Sequence, residues 1–88
     1  MNTIEIDFKG IKTNADFYAH LKQKSELPEY FGNNLDALYD VLTAYIELPA
    51  HLKLMNVTLQ QIETLSDLFS TLIDAEINTQ AAFTYDFY

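Results

Sequence analysis

Two aspartates one helical turn apart, Asp36 and Asp40, are the side chains of this 88-residue sequence best placed to do chemistry. They lie in the stretch LPEYFGNNLDALYDVLTAYIELP, between Leu27 and Pro49, and no lysine or arginine occurs between Lys24 and Lys53. Two carboxylates could act as a general acid and base, form an ordinary solvated face, or meet a partner's positive charges. The first use needs a cleft, and periodicity places both on the convex side of a helix. At roughly 100° per residue from Asn34 to Tyr45, Leu35, Leu38, Val41, Leu42 and Tyr45 gather on an arc that faces a core. Asp36, Tyr39, Asp40 and Thr43 follow i, i+3, i+4, i+7 on a second, outward arc. Like charges four apart cost a helix a few tenths of a kcal/mol. Asp36 recovers part of this at the positive end of the helix dipole, where Asn33 or Asn34 serves as N-cap. Asp40, in mid-helix, recovers nothing within the chain, so its return is expected from a partner.

Tyr39 between the carboxylates fits a contact surface, where aromatic residues are enriched. Just upstream, Tyr30 and Phe31 adjoin Gly32, which is expected to take positive φ and fold the loop against the helix start. Loop and helix should then form one surface.

The segment LPEYFGNNLDALYDVL resembles the signature of the barstar family, intracellular inhibitors of barnase-type secreted bacterial ribonucleases. The likeness is dense from Leu27 to Pro49 and looser over the rest of the chain. It implies that loop and helix plug a ribonuclease active site, with acidic side chains standing where substrate phosphates bind. Matched positions are Tyr30, Gly32, Asn34, Asp36 and Asp40, the last being the dominant aspartate; Leu35, Tyr39 and Thr43 complete the implied contact surface. Asp40 would enter among catalytic Arg and His groups, Asp36 and Asn34 would bond an adjacent loop, and Tyr30 and Tyr39 would cover the rim. Where the family has tryptophan between the aspartates this chain has Tyr39, implying a smaller contact or a differently shaped target. A later helix supplies a further carboxylate in the family, for which Asp74 and Glu76 are both candidates. The family's two cysteines are absent, with Val41 and Ala82 near their places, so no disulfide is implied. The other reading left open is a module of the same fold that binds another basic protein or toxin without inhibiting a ribonuclease.

Composition points the same way. Thirteen acidic residues oppose five basic ones, for a net charge of −8. Nucleic acid is bound through lysine and arginine, so this chain should be repelled by RNA and attracted to a basic protein that binds RNA. A one-to-one complex with a basic secreted or toxin-type ribonuclease is expected, with no direct contact to nucleic acid or membrane and a monomer when free. With no cysteine, disulfides and thiolate metal sites are excluded. His20 and His51 lack metal-ligand spacing, and two glycines cannot build a phosphate-cradling loop. An acidic carrier protein would need a serine after an aspartate, whereas Ser66-Asp67 has the reverse order. No enzyme, cofactor or metal is therefore expected. No stretch reaches the roughly 20 apolar residues of a membrane span, and no secretory signal is seen, so a cytoplasmic protein is expected.

The elements that must position this surface are legible from periodicity. Thr3 to Phe8 alternates as a strand with one dry face. Thr13-Asn14-Ala15-Asp16 opens a helix to about Gln23, and Pro28 breaks the chain. Leu52 to Asn56 reads as a second strand, Leu59 to Thr64 as a short helix, and Ser66 onward as a longer one, with Leu65, Leu68, Phe69, Leu72 and Ile73 at core spacing. Phe83, Tyr85 and Phe87 alternate in a last strand ending at Tyr88. Strands separated by about 40 residues of helix need crossovers, hence parallel pairing. Their alternating polarity argues against helices on both faces. The expected fold is one two-layer α/β domain over residues 1–88, with a three-stranded parallel sheet and helices on one face, which is also what the resemblance implies.

Overall fold

A computed structural model describes residues 2–25, Leu27 and residues 31–88. Three strands, β1 (Asn2–Asp7), β2 (Ala50–Met55) and β3 (Phe83–Phe87), form a parallel sheet in chain order. Both crossovers step the same way, and the right-handed rule then puts the helices on one face. These are α1 (Asn14–Ser25), α2 (Leu35–Asp40), α3 (Leu59–Thr64) and α4 (Ser66–Asn78). The inner sheet face carries Ile4, Ile6, Ala50, Leu52, Leu54 and Phe83, all buried. Across the open face Glu5, Lys53 and Asp86 lie in register. Lys53 Nζ is 3.7 Å from Glu5 and 4.5 Å from the Tyr88 ring centroid. An exposed pair of this kind contributes at most about 1 kcal/mol.

Caps fix where the helices begin. Thr13 Oγ1 accepts from the Asp16 N–H at 3.2 Å, while Asp16 Oδ2 accepts from the N–H groups of Lys12 and Thr13 at 2.9 and 3.2 Å. Those backbone bonds, Lys12 first, hold the Asp16 carboxyl below its ordinary pKa. Thr58 and Gln61 form a capping box on α3. The Gln61 amide also donates to the carbonyls of Phe8 and Ile11, at 2.7 and 2.9 Å, and so bolts α3 to the β1–α1 connection.

The core joins α1 to α4 through Phe8, whose ring lies 5.8 Å from Phe17 of α1 and 5.8 Å from Phe69 of α4. Leu38 of α2 and Leu68 and Leu72 of α4 are fully buried. Three expected core residues are not. Tyr45 is 53% exposed, Ile73 45% and Phe87 47%. Ile73 lies at the margin of the α4 apolar arc and Phe87 near the end of an edge strand, where the layers no longer meet. Tyr45 has a different cause. The expected helix over Asn34–Tyr45 is α-helical only to Asp40 and continues as a π turn, Val41–Tyr45, closed by the Ile46 N–H on the Val41 carbonyl at 2.9 Å. Each residue of this wider turn rotates through less than 100°, so Tyr45 lags off the core arc.

β3 is an edge strand, yet its outward N–H groups are largely engaged. Ala82 and Tyr88 bond β2, so Phe83, Tyr85 and Phe87 face the open edge. The Phe83 N–H donates to Thr79 Oγ1 at 3.0 Å and the Phe87 N–H to Asp86 Oδ1 at 2.8 Å. An edge blunted in this way offers little to a pairing strand.

Candidate functional site

Loop and helix form one surface, and its scaffold is visible residue by residue. Phe31 is buried with its ring edge-on to Tyr18 of α1, centroids 5.8 Å apart, which pins the loop from below. The left-handed conformation falls on Asn33, at φ 52°, and not on Gly32 as expected. Asparagine tolerates that region because its short side chain bonds locally. Glycine suits 32 for a different reason: an added Cβ would stand 3.0 Å from Asn34 Nδ2, a tight approach that the Asn34 side chain would have to yield to, and 3.4 Å from Ala37 Cβ. Asn34 is the N-cap, its Oδ1 accepting from the Ala37 N–H at 2.8 Å and its Nδ2 donating to the Gly32 carbonyl at 3.1 Å. Tyr30 lies outside the described residues.

Asp36 and Asp40 are both exposed, and neither carboxylate has a hydrogen bond or ion pair among the described residues. Positions i and i+4 put their Cβ atoms about 5–6 Å apart. Tyr39, expected on a wet face, is half-buried and packs on the core. It therefore presents an edge beside the carboxylates instead of a whole ring. Thr43 is half-buried too, and its hydroxyl donates to the Tyr39 carbonyl at 2.8 Å, where the π turn interrupts the regular ladder. Leu35 is half-buried. With Asp36, Asn33, Asn34, Tyr18, Ala15 and Asn14 it lines an open concavity of about 480 Å³. Among the described residues Asp36 is the one carboxylate that lines this hollow.

The structure thus gathers Gly32, Asn34, Leu35, Asp36, Tyr39, Asp40 and Thr43 in one contiguous patch. The two later candidates are separated from each other: α4 packs against α2, but Asp74 and Glu76 point roughly 200° apart around its axis. Asp74 is exposed, whereas Glu76 is half-buried toward β3. There, after burial itself, its charge is the next cause of the raised Tyr85 pKa. At most one of them can share a surface with the α2 aspartates.

Among the described residues no group of three or more His, Cys, Asp or Glu side chains could hold a metal. No helix there is long and apolar enough to cross a membrane. His51 has its ring nitrogens 2.8 and 3.1 Å from the hydroxyls of Thr84 and Tyr88, so both are engaged on the open sheet face. What sequence reasoning missed in the site is its support: the Phe31–Tyr18 contact and the φ of Asn33. The first joins separate elements and leaves no local signal. The second had a weak one, since asparagine is among the few residue types besides glycine that visit the left-handed region.

Comparison with known proteins bears on this acidic, unpaired patch. The family model for barstar, described as the barnase inhibitor, matches residues 1–85. The chain is also 41% identical over 56 residues to "Putative ribonuclease inhibitor YrdF" of Bacillus subtilis (strain 168), a match covering 64% of this chain and 62% of that protein's length. With a parallel three-stranded sheet under one helical layer and a family match over nearly its whole length, this chain belongs to the barstar family.

Proposed function

We propose that this protein is a stoichiometric inhibitor of a basic microbial ribonuclease of the barnase type, acting in the cytoplasm as a one-to-one, non-catalytic plug. The observation that carries the reading is the exposed Asp36–Asp40 pair, unpaired among the described residues, beside a loop already tied to the helix start. A nuclease active site concentrates cationic side chains where phosphates bind, and two carboxylates one turn apart present it with complementary negative charge. In this reading Asp40 enters among those cations, Asp36 neutralises their neighbours, and Tyr30, Leu35, Tyr39 and Thr43 exclude water at the rim. One of Asp74 and Glu76 adds a peripheral charge. The blunted β3 edge agrees with a monomer when free, and residues 1–88 act as one domain.

RNA cleavage titrated with the purified protein is expected to fall linearly to zero at one equivalent of barnase or of a related basic ribonuclease. Activity persisting at several-fold excess across such a panel would leave the alternative, a fold-sharing module for another basic protein. The half-buried Tyr39, in place of a larger ring, is the feature that favours a target differing from barnase at the rim.

Association should also be steered by charge. The Debye length is about 10 Å at 0.1 M salt, so the association rate is expected to drop steeply as salt rises while dissociation changes little. Stopped-flow measurement of a salt-independent association rate would instead mark a mainly apolar interface.

A further inference from the structure

Resting on the inhibitor reading, we propose that Asn34 is a positioning residue of the inhibitory surface, a clip that holds the Gly32–Asn33 backbone in its binding conformation before the nuclease arrives, and not itself a principal contact. Both ends of its amide are already engaged: Oδ1 with the Ala37 N–H at 2.8 Å and Nδ2 with the Gly32 carbonyl at 3.1 Å. The first bond caps α2, and the second ties the loop to it. The loop is thereby held at two points, by Phe31 under Tyr18 on one side and by Asn34 on the other, with exposed Gly32 and left-handed Asn33 arched between them. Gly32 belongs to the same device, since a methyl group there would meet the clip's own nitrogen at 3.0 Å. An arch fixed in the free protein spares the complex the cost of ordering it, which shows mainly in the dissociation rate.

The two bonds can be separated. Aspartate caps a helix as well as asparagine does, so Asn34→Asp keeps the bond to Ala37. It replaces the Nδ2 donor by an acceptor facing the Gly32 carbonyl. It also adds negative charge, which by itself would favour a basic partner. The experiment is surface-plasmon resonance on immobilised barnase, with thermal unfolding of each free variant, for the wild type, Asn34→Asp, Gly32→Ala and the double variant. We expect wild-type thermal stability to within a few degrees, association as fast or faster, and dissociation roughly five- to tenfold faster for Asn34→Asp, the scale of one lost hydrogen bond. The double variant should lose less than the product of the two single effects, because both substitutions break one clip. Wild-type dissociation from Asn34→Asp overturns the clip, and strictly multiplicative effects return Asn34 to the role of a direct contact. If the wild type itself fails to bind barnase and related basic ribonucleases, the inhibitor reading falls and the clip's binding role with it. Should Asn34→Asp prove unstable, Asn34→Ser, which retains a capping oxygen without the negative charge, carries the same comparison.

Discussion

Replacing Asp40 by alanine is expected to weaken binding to the target ribonuclease by at least about 2 kcal/mol, the threshold of an interface hot spot on a scale for which barstar itself is an example. The carboxylate is exposed and has no hydrogen bond or ion pair among the described residues. In the complex it would be desolvated against cations, and truncation would leave those cations buried and unpaired. The free protein should not suffer. Asp40 closes α2 where the helix passes into the π turn, so alanine there removes the repulsion from Asp36 and supplies a better helix former. Stability should hold or rise by a few tenths of a kcal/mol. Calorimetric titration beside thermal unfolding separates the two effects. A clear drop in stability, or unchanged affinity, would make Asp40 structural and move the site elsewhere.

The opposite pattern is expected for Phe17→Ala. Phe17 is fully buried where α1 meets Phe8, the residue that follows β1, its ring 5.8 Å from Phe8 and 6.3 Å from Tyr18. Removing such a ring costs about 3–5 kcal/mol in transfer and cavity terms. A domain of this length has roughly 4–13 kcal/mol in total, so the midpoint of thermal unfolding should fall by more than about 12 °C. Because Tyr18 in turn carries Phe31, the loop should loosen before the sheet does, and hydrogen exchange at residues 32–34 should rise first. A loss below about 1 kcal/mol would show that Phe17 does not occupy the core in the way described.

Much of the fold could be read locally. Alternation in Thr3–Phe8 and Phe83–Phe87 exposes one polar strand face, and long helical connections between strands leave parallel pairing as the economical solution. The Thr13–Asp16 cap is a pattern of adjacent residues, and it forms as the sequence implies. The acidic arc of α2 was equally legible, because Asp36 and Asp40 are separated by one turn of regular helix and nothing basic is near in sequence.

Periodicity fails where the helix stops being regular or where the layer ends. The π turn at Val41–Tyr45 turns Tyr45 outward, and no residue type in that segment announces it. Tyr39 is half-buried because it packs against the core, a consequence of how the elements pack and not of its place on the wheel. Gln61 reaching the Phe8 and Ile11 carbonyls joins residues 50 and more apart.

By itself, then, the sequence determined the elements, their polar and apolar faces, and the segment that carries the acidic signature, since each depends on backbone preferences and spacing within a few residues. Tertiary structure alone decided which side chains of that segment are free to meet a partner. Among the described residues Asp36 and Asp40 remain unengaged, while Asn34 and Thr43 are already bonded to their own backbone and Tyr39 is partly withdrawn. The physical reason is that a polar group's availability depends on every neighbour that can satisfy or bury it, and those neighbours are assembled only when the chain has folded.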